Sequence, residues 1–193
     1  MRRIVALLLL SIAVAACQQT EKKASPPAAQ AAGDGTQATD TAAAPTTPTT
    51  TGVDVGAAMP AYAATNLDGS PFDLASTRNK IVVLNLWATW CGPCRFEIPE
   101  LQRMHDTYAA RGLDVIGVSV DEGAADEVKS FIAEHKMTYP QVLDPQGKLA
   151  NILETSVLPT TVVLDRTGKI LWKKYGAIEA NDAELKAVIE KAL

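Results

Sequence analysis

Ile81-Val82-Val83-Leu84-Asn85-Leu86-Trp87-Ala88-Thr89-Trp90-Cys91-Gly92-Pro93-Cys94-Arg95 is the stretch on which the rest of the chain depends. Residues 81–87 form an apolar run of the length and composition of a buried strand, and from Arg95 onward apolar residues recur at helical spacing. The two cysteines therefore stand where a strand ends and a helix begins. That placement brings Cys91 close to the unpaired amides and positive dipole end of the helix, which favour a thiolate. A thiolate attacks disulfides, and a second thiol three residues on can release the mixed disulfide that forms. Pro93 restricts the helix start and removes one amide donor, so it bears on how well the thiolate is held.

The chain has 193 residues and a formal net charge of -4, with no basic cluster after its first residues, so nothing points to nucleic acid. Met1-Arg2-Arg3 followed by an apolar stretch over 4–16 is too short for a membrane span, which needs ~20 apolar residues, and suits a signal peptide. Val14-Ala15-Ala16-Cys17 resembles a bacterial lipobox, with Cys17 as the residue that receives lipid; the alternative is an ordinary signal peptide followed by a chance cysteine. Three cysteines in an exported protein leave one unpaired. Lipidation of Cys17 would leave Cys91 and Cys94 as a pair, in a compartment where disulfides persist.

Three segments are expected: a lipoprotein signal peptide over 1–16, a tether over 17–57, and a globular domain over 58–193. The tether is rich in Ala, Thr, Pro, Gln and Gly, cannot bury enough surface to offset ordering, and would reach roughly 35 Å. In the domain, residues 61–73 suggest a hairpin turning at Asp68-Gly69-Ser70-Pro71. A central strand over 81–87 precedes a helix over 93–111, interrupted near Pro99. A strand over 113–120 follows, then a helix carrying Val128, Phe131, Ile132 and His135, a short edge strand at 141–143, and a short helix near 147–153. Strands at 161–165 and 169–172 turn about Arg166-Thr167-Gly168, and a closing helix shows Leu185, Val188 and Ile189 on one face. Strands alternating with helices give an α/β fold, a mixed sheet flanked by helices with an added N-terminal β-hairpin.

On the helix that follows the cysteines, Cys94, Glu97, Leu101, Met104 and Tyr108 fall on one face, and the last three mark it as core-directed. A carboxylate there would be partly desolvated, its pKa raised, and fitted to exchange a proton with Cys94. The competing reading turns Glu97 outward at a Pro99 kink. A disulfide used only as a staple would close a very small loop and constrain little chain entropy. A zinc site normally needs four ligands, and no second cysteine pair exists. Neither a metal nor a cofactor is expected. His105 and His135 fit helix-face packing or solvent. Trp87 fits the core, while Trp90 could pack against a bound thiol or merely cover the helix.

The run Val83 to Arg95, together with Met59-Pro60 through Leu74, Glu97-Ile98-Pro99-Glu100-Leu101, Val118-Ser119-Val120-Asp121 and Leu158-Pro159-Thr160-Thr161, resembles the TlpA/ResA-like branch of the thioredoxin superfamily over the whole globular part. The resemblance implies a thioredoxin-like fold and thiol–disulfide exchange outside the cytoplasm. Cys91 would attack, Cys94 would resolve, and Glu97 would supply the acid–base group that many thioredoxins carry at the position held here by Asn85. Pro159 would have a cis peptide bond and lie against the cysteines; a trans proline opening a strand is the alternative. Leu158 would offer backbone groups to an extended substrate, with Trp90 and Thr160 beside it in the binding region. Gly92-Pro93 is the pair of reducing thioredoxins.

These readings lead to a reductant of disulfides in exported proteins, with cytochrome c maturation as one such task. A membrane dithiol donor would feed it, and lipid on Cys17 would anchor it. Gln18 in place of an aspartate would favour the outer membrane in a Gram-negative cell; in a Gram-positive cell the anchor would lie on the outer face of the plasma membrane. Two alternatives are a thiol peroxidase of the peroxiredoxin type and a copper-delivery module. The first needs its cysteine in a Thr-containing pocket, and the second a wider cysteine spacing with a histidine ligand.

Overall fold

The computed structural model describes residues 51–123 and 125–193. The signal peptide, Cys17 and the tether up to residue 50 lie outside the described residues. Residues 51–57, assigned above to the tether, are joined to the domain. The Gly56 amide donates to the Ile170 carbonyl at 2.8 Å, and Lys173 Nζ donates to the Val53 carbonyl at 2.8 Å. Their small residues hid this, since backbone hydrogen bonds need no apolar side chains.

Seven strands form one mixed sheet: β1 (Ala63–Asn66), β2 (Pro71–Asp73), β3 (Ile81–Trp87), β4 (Leu113–Ser119), β5 (Gln141–Leu143), β6 (Thr160–Leu164) and β7 (Ile170–Tyr175), in the order β2-β1-β5-β4-β3-β6-β7. Strand β3 pairs parallel with β4 and antiparallel with β6, and every one of its residues is buried. Covering on both faces explains its unbroken apolar run. Strand β5 is not an edge strand as expected. It lies between β4 and β1, so the N-terminal hairpin extends the main sheet. Three residues cannot report their neighbours through periodicity; the pairing is a tertiary choice.

Alternation along β3 divides the core. Ile81, Val83 and Trp87 face helices α1 (Gly92–Tyr108), α2 (Ala125–Glu134) and α4 (Ala183–Ala192). Val82, Leu84 and Leu86 face α3 (Lys148–Ile152), with Met59, Tyr62 and Leu74 of the N-terminal segment. Asn85 has the parity of the first set, so its amide points under α1.

Helix α1 runs through Pro99 without the expected interruption. The proline removes the hydrogen bond to the carbonyl of Arg95, an exposed residue, while Ile98, Leu101 and Met104 stay packed on the sheet. Burial of that apolar face outweighs one lost bond. A further turn of 3-10 helix over Ala109–Arg111 ends at Gly112, which adopts a left-handed conformation.

Candidate active site

Cys91 is the residue that caps α1. Its Sγ accepts the Cys94 amide at 3.2 Å, and the two sulfurs are joined in a disulfide, S–S 2.02 Å. Gly92 and Pro93 fill the first helical positions, where a missing amide removes no helical bond. Cys91 is 5% exposed and Cys94 1%, so the first sulfur-bearing residue is the one nearer solvent.

The loop that delivers Cys91 is clamped. Thr89 donates its hydroxyl to Asp121 Oδ1 at 2.6 Å and its amide to the same carboxylate, while Ser119 donates to Oδ2 at 2.7 Å. Arg95 returns from α1 to donate to the Thr89 carbonyl at 2.9 Å, with its guanidinium over the Phe131 ring. Trp90, held between these anchors, is 68% exposed. Asp121, Thr89 and Arg95 belong to no local motif that would mark them for this role. Their only signal is that polar residues follow two buried strands at the same sheet end.

Behind the disulfide, Glu97 is 0% exposed, which removes the outward-turned reading. Asn85 Nδ2 donates to Glu97 Oε1 at 2.7 Å, and the Ile178 amide donates to Oε2 at 2.9 Å. Asn85 also donates to Thr161 Oγ1 at 3.0 Å. Burial raises the Glu97 pKa to about 7, against the lowering effects of the Ile178 amide, the Asn85 amide and the charge of Lys174. Asn85 stands where many thioredoxins carry the acid, and here it is the donor that holds the acid. A polar residue inside an apolar strand was the available signal.

The Leu158–Pro159 peptide bond is cis. Leu158 packs against the core cluster that contains both cysteines, and it lines a groove with Trp90, Leu86, Val120, Glu122 and Ala150. The Gly176 amide donates to the Pro159 carbonyl at 2.8 Å, two residues before the Ile178 amide that holds Glu97. Thr160 does not fit a substrate contact. It is fully buried, and its hydroxyl donates to the Val157 carbonyl at 2.7 Å, so it supports the Leu158 loop from beneath. Trp87 is a core residue and donates to Gln141 Oε1 at 3.0 Å. His135, just past the end of α2, stacks on Phe131.

Residues 55–173 match the AhpC/TSA family. The chain belongs to the AhpC/TSA family. Within this family it is similar to the thiol-disulfide oxidoreductase ResA of Geobacillus kaustophilus, with 33% identity over 134 residues, 69% of this chain and 76% of that protein. Among solved structures, it superimposes on a protein assigned as thiol:disulfide interchange protein DsbE of Chlorobium tepidum with a TM-score of 0.67 and 31% identity, covering 72% of this chain and 98% of that one. A secreted thiol-disulfide isomerase from Corynebacterium glutamicum gives a TM-score of 0.63 and 26% identity, covering 78% and 95%. This AhpC/TSA member has the thioredoxin-like fold and is a thiol–disulfide oxidoreductase of the ResA/TlpA type.

Proposed function

We propose that the protein reduces disulfides of exported proteins from the outer side of a membrane, tethered by lipid on Cys17. The observation that carries the chemistry is the pairing of a helix-capping Cys91 with Cys94, with buried Glu97 on the same face of α1. In the reduced form, the Cys91 thiolate attacks a client disulfide; a new S–S bond forms and the first client sulfur leaves as a thiolate. Cys94 then gives its proton to Glu97 and attacks Cys91 Sγ. The second client sulfur leaves, and the client departs as a dithiol. The protein is left as the Cys91–Cys94 disulfide, which a membrane dithiol donor reduces. The proton on Glu97 is available to a leaving thiolate or to solvent.

Trp90 and the backbone of Leu158, beside Pro159, form the surface on which an extended client segment would lie. The signal-like pattern of residues 1–16, and the secreted status of the similar protein from Corynebacterium glutamicum, support a location in the cell envelope. The outer membrane is the expected site in a Gram-negative cell. Measuring the reduction potential of Cys91–Cys94 tests the direction. A value of about -270 mV or lower supports a reductant, whereas about -120 mV would make the protein a disulfide donor.

A further inference from the structure

A carboxyl group with no solvent contact needs a counter-charge if it is to give up its proton near neutral pH. The sheet supplies one beside Glu97. Asn85 of β3 stands opposite Thr161 of β6, and Thr161 stands opposite Lys174 of β7. Residues opposite one another across strands project from the same face. Asn85, Thr161 and Lys174 therefore form one row, about 5 Å per step, beneath α1. Asn85 donates both to Glu97 and to Thr161, which ties the first two members of the row to the acid through one amide. Lys174 is the cation of that row, half-buried, with a side chain long enough to cross the remaining step.

Lys174 is also held. Its Nζ lies 2.9 Å from Asp182 Oδ2, and Asp182 caps α4 by accepting the Leu185 amide at 3.0 Å. The pair closes the loop over 175–181. Within that loop the Gly176 amide donates to Pro159 and the Ile178 amide donates to Glu97, and the Ile178 side chain is buried.

We infer that Lys174, restrained by Asp182, is the counter-charge that favours ionisation of the buried Glu97. Lys174 acts through Glu97 and is thus a positioning residue. The inference rests on the reading of Glu97 as the proton-exchanging group. The other groups around Glu97 are few. On α1 these are Cys94, held in the disulfide, and Glu100, paired with Arg103. Ahead of β5, Tyr139 is buried and has its own pKa raised, by burial and then by the Glu97 charge. Asn85 and Thr161 do not titrate. After burial, which raises it, the Glu97 pKa is lowered first by the Ile178 amide and the Asn85 amide and then by the charge of Lys174, the cation whose ammonium is paired with Asp182.

The two partners therefore have opposite effects, which gives the test. The full chain in its oxidised state is labelled with carboxyl-13C glutamate, and the Glu97 signal, assigned by its loss in Glu97→Gln, is titrated. Lys174→Met should move the midpoint up by about one pH unit, the lower end for removing a nearby opposite charge. Lys174→Arg should restore it. Asp182→Asn keeps the helix cap, since asparagine caps as well as aspartate, but frees the lysine, and should move the midpoint down. Both Lys174→Met and Asp182→Asn break the same ion pair, so a purely structural role would shift both the same way. Shifts in one direction for both, or no shift in Lys174→Met, overturn the inference. A failure of Glu97→Gln to alter the pH dependence of thiol exchange would overturn the catalytic reading of Glu97 instead, leaving the titration result intact.

Discussion

Replacing Glu97 with glutamine should change how the stability of the oxidised protein depends on pH. In the fold, the carboxyl pKa stands at about 7 against an ordinary 4.5, because burial disfavours the charged form. A folded pKa above the unfolded one means that the fold prefers the protonated acid. The stabilisation is fully present below about pH 4.5 and is lost as pH rises through about 7. The gap, 7 minus 4.5, corresponds to about 3 kcal/mol at 1.36 kcal/mol per pH unit. Glu97 has no exposed surface, so solvent screening does not reduce this figure substantially. Glutamine cannot ionise. It also meets two donors, Asn85 Nδ2 and the Ile178 amide, with one oxygen, which costs about 1–3 kcal/mol at every pH. Urea unfolding of both oxidised proteins between pH 4 and pH 8 separates the two effects. Wild type should be the more stable at pH 4, and its advantage should shrink by about 3 kcal/mol by pH 8. A stability difference that stays flat across this range would refute the argument that Glu97 is an acid held neutral by burial.

Cys94→Ser should trap clients, because Cys91 still attacks while the resolving thiol is gone. A mixed disulfide visible on a non-reducing gel, and absent when Cys91 is also replaced, is the expected result. Trp90→Ala should impair protein clients selectively. Burying on the order of 100 Å² of exposed indole contributes about 2.5 kcal/mol, so KM should rise roughly 10- to 100-fold, with exchange against a small disulfide unchanged. Gly117→Ala should destabilise the domain by about 1–3 kcal/mol in thermal melts. A methyl there would collide with Gln141 Oε1, the atom that accepts the Trp87 indole.

Much of the fold was legible because its signals are local. The apolar run of β3, the cysteine pair at the helix start and the core face of α1 each follow from one periodicity over a short window. The same face placed Glu97 in the interior, and burial of Leu101, Met104 and Tyr108 beside it agrees. Errors arose where a residue's state depends on distant partners. Strand β5 has three residues, and its place inside the sheet depends on β1, more than seventy residues earlier. Pro99 is a helix breaker by propensity, yet packing of the helix face keeps α1 continuous.

The division between sequence and tertiary structure is clearest at the site. Sequence alone determined the reacting pair, because cysteine spacing and the strand-to-helix switch belong to fifteen consecutive residues. It could not show what surrounds the buried Glu97 beside that pair. Asn85, Thr161, Ile178 and Lys174 are separated by up to 93 residues and have ordinary side chains or a backbone amide. Asn85, Thr161 and Lys174 form one row near Glu97 only because β3, β6 and β7 lie side by side with one register, and the Ile178 amide reaches Glu97 only because the loop after β7 folds back under α1. A pKa depends on the charges and donors within a few ångströms, and only folding determines which these are.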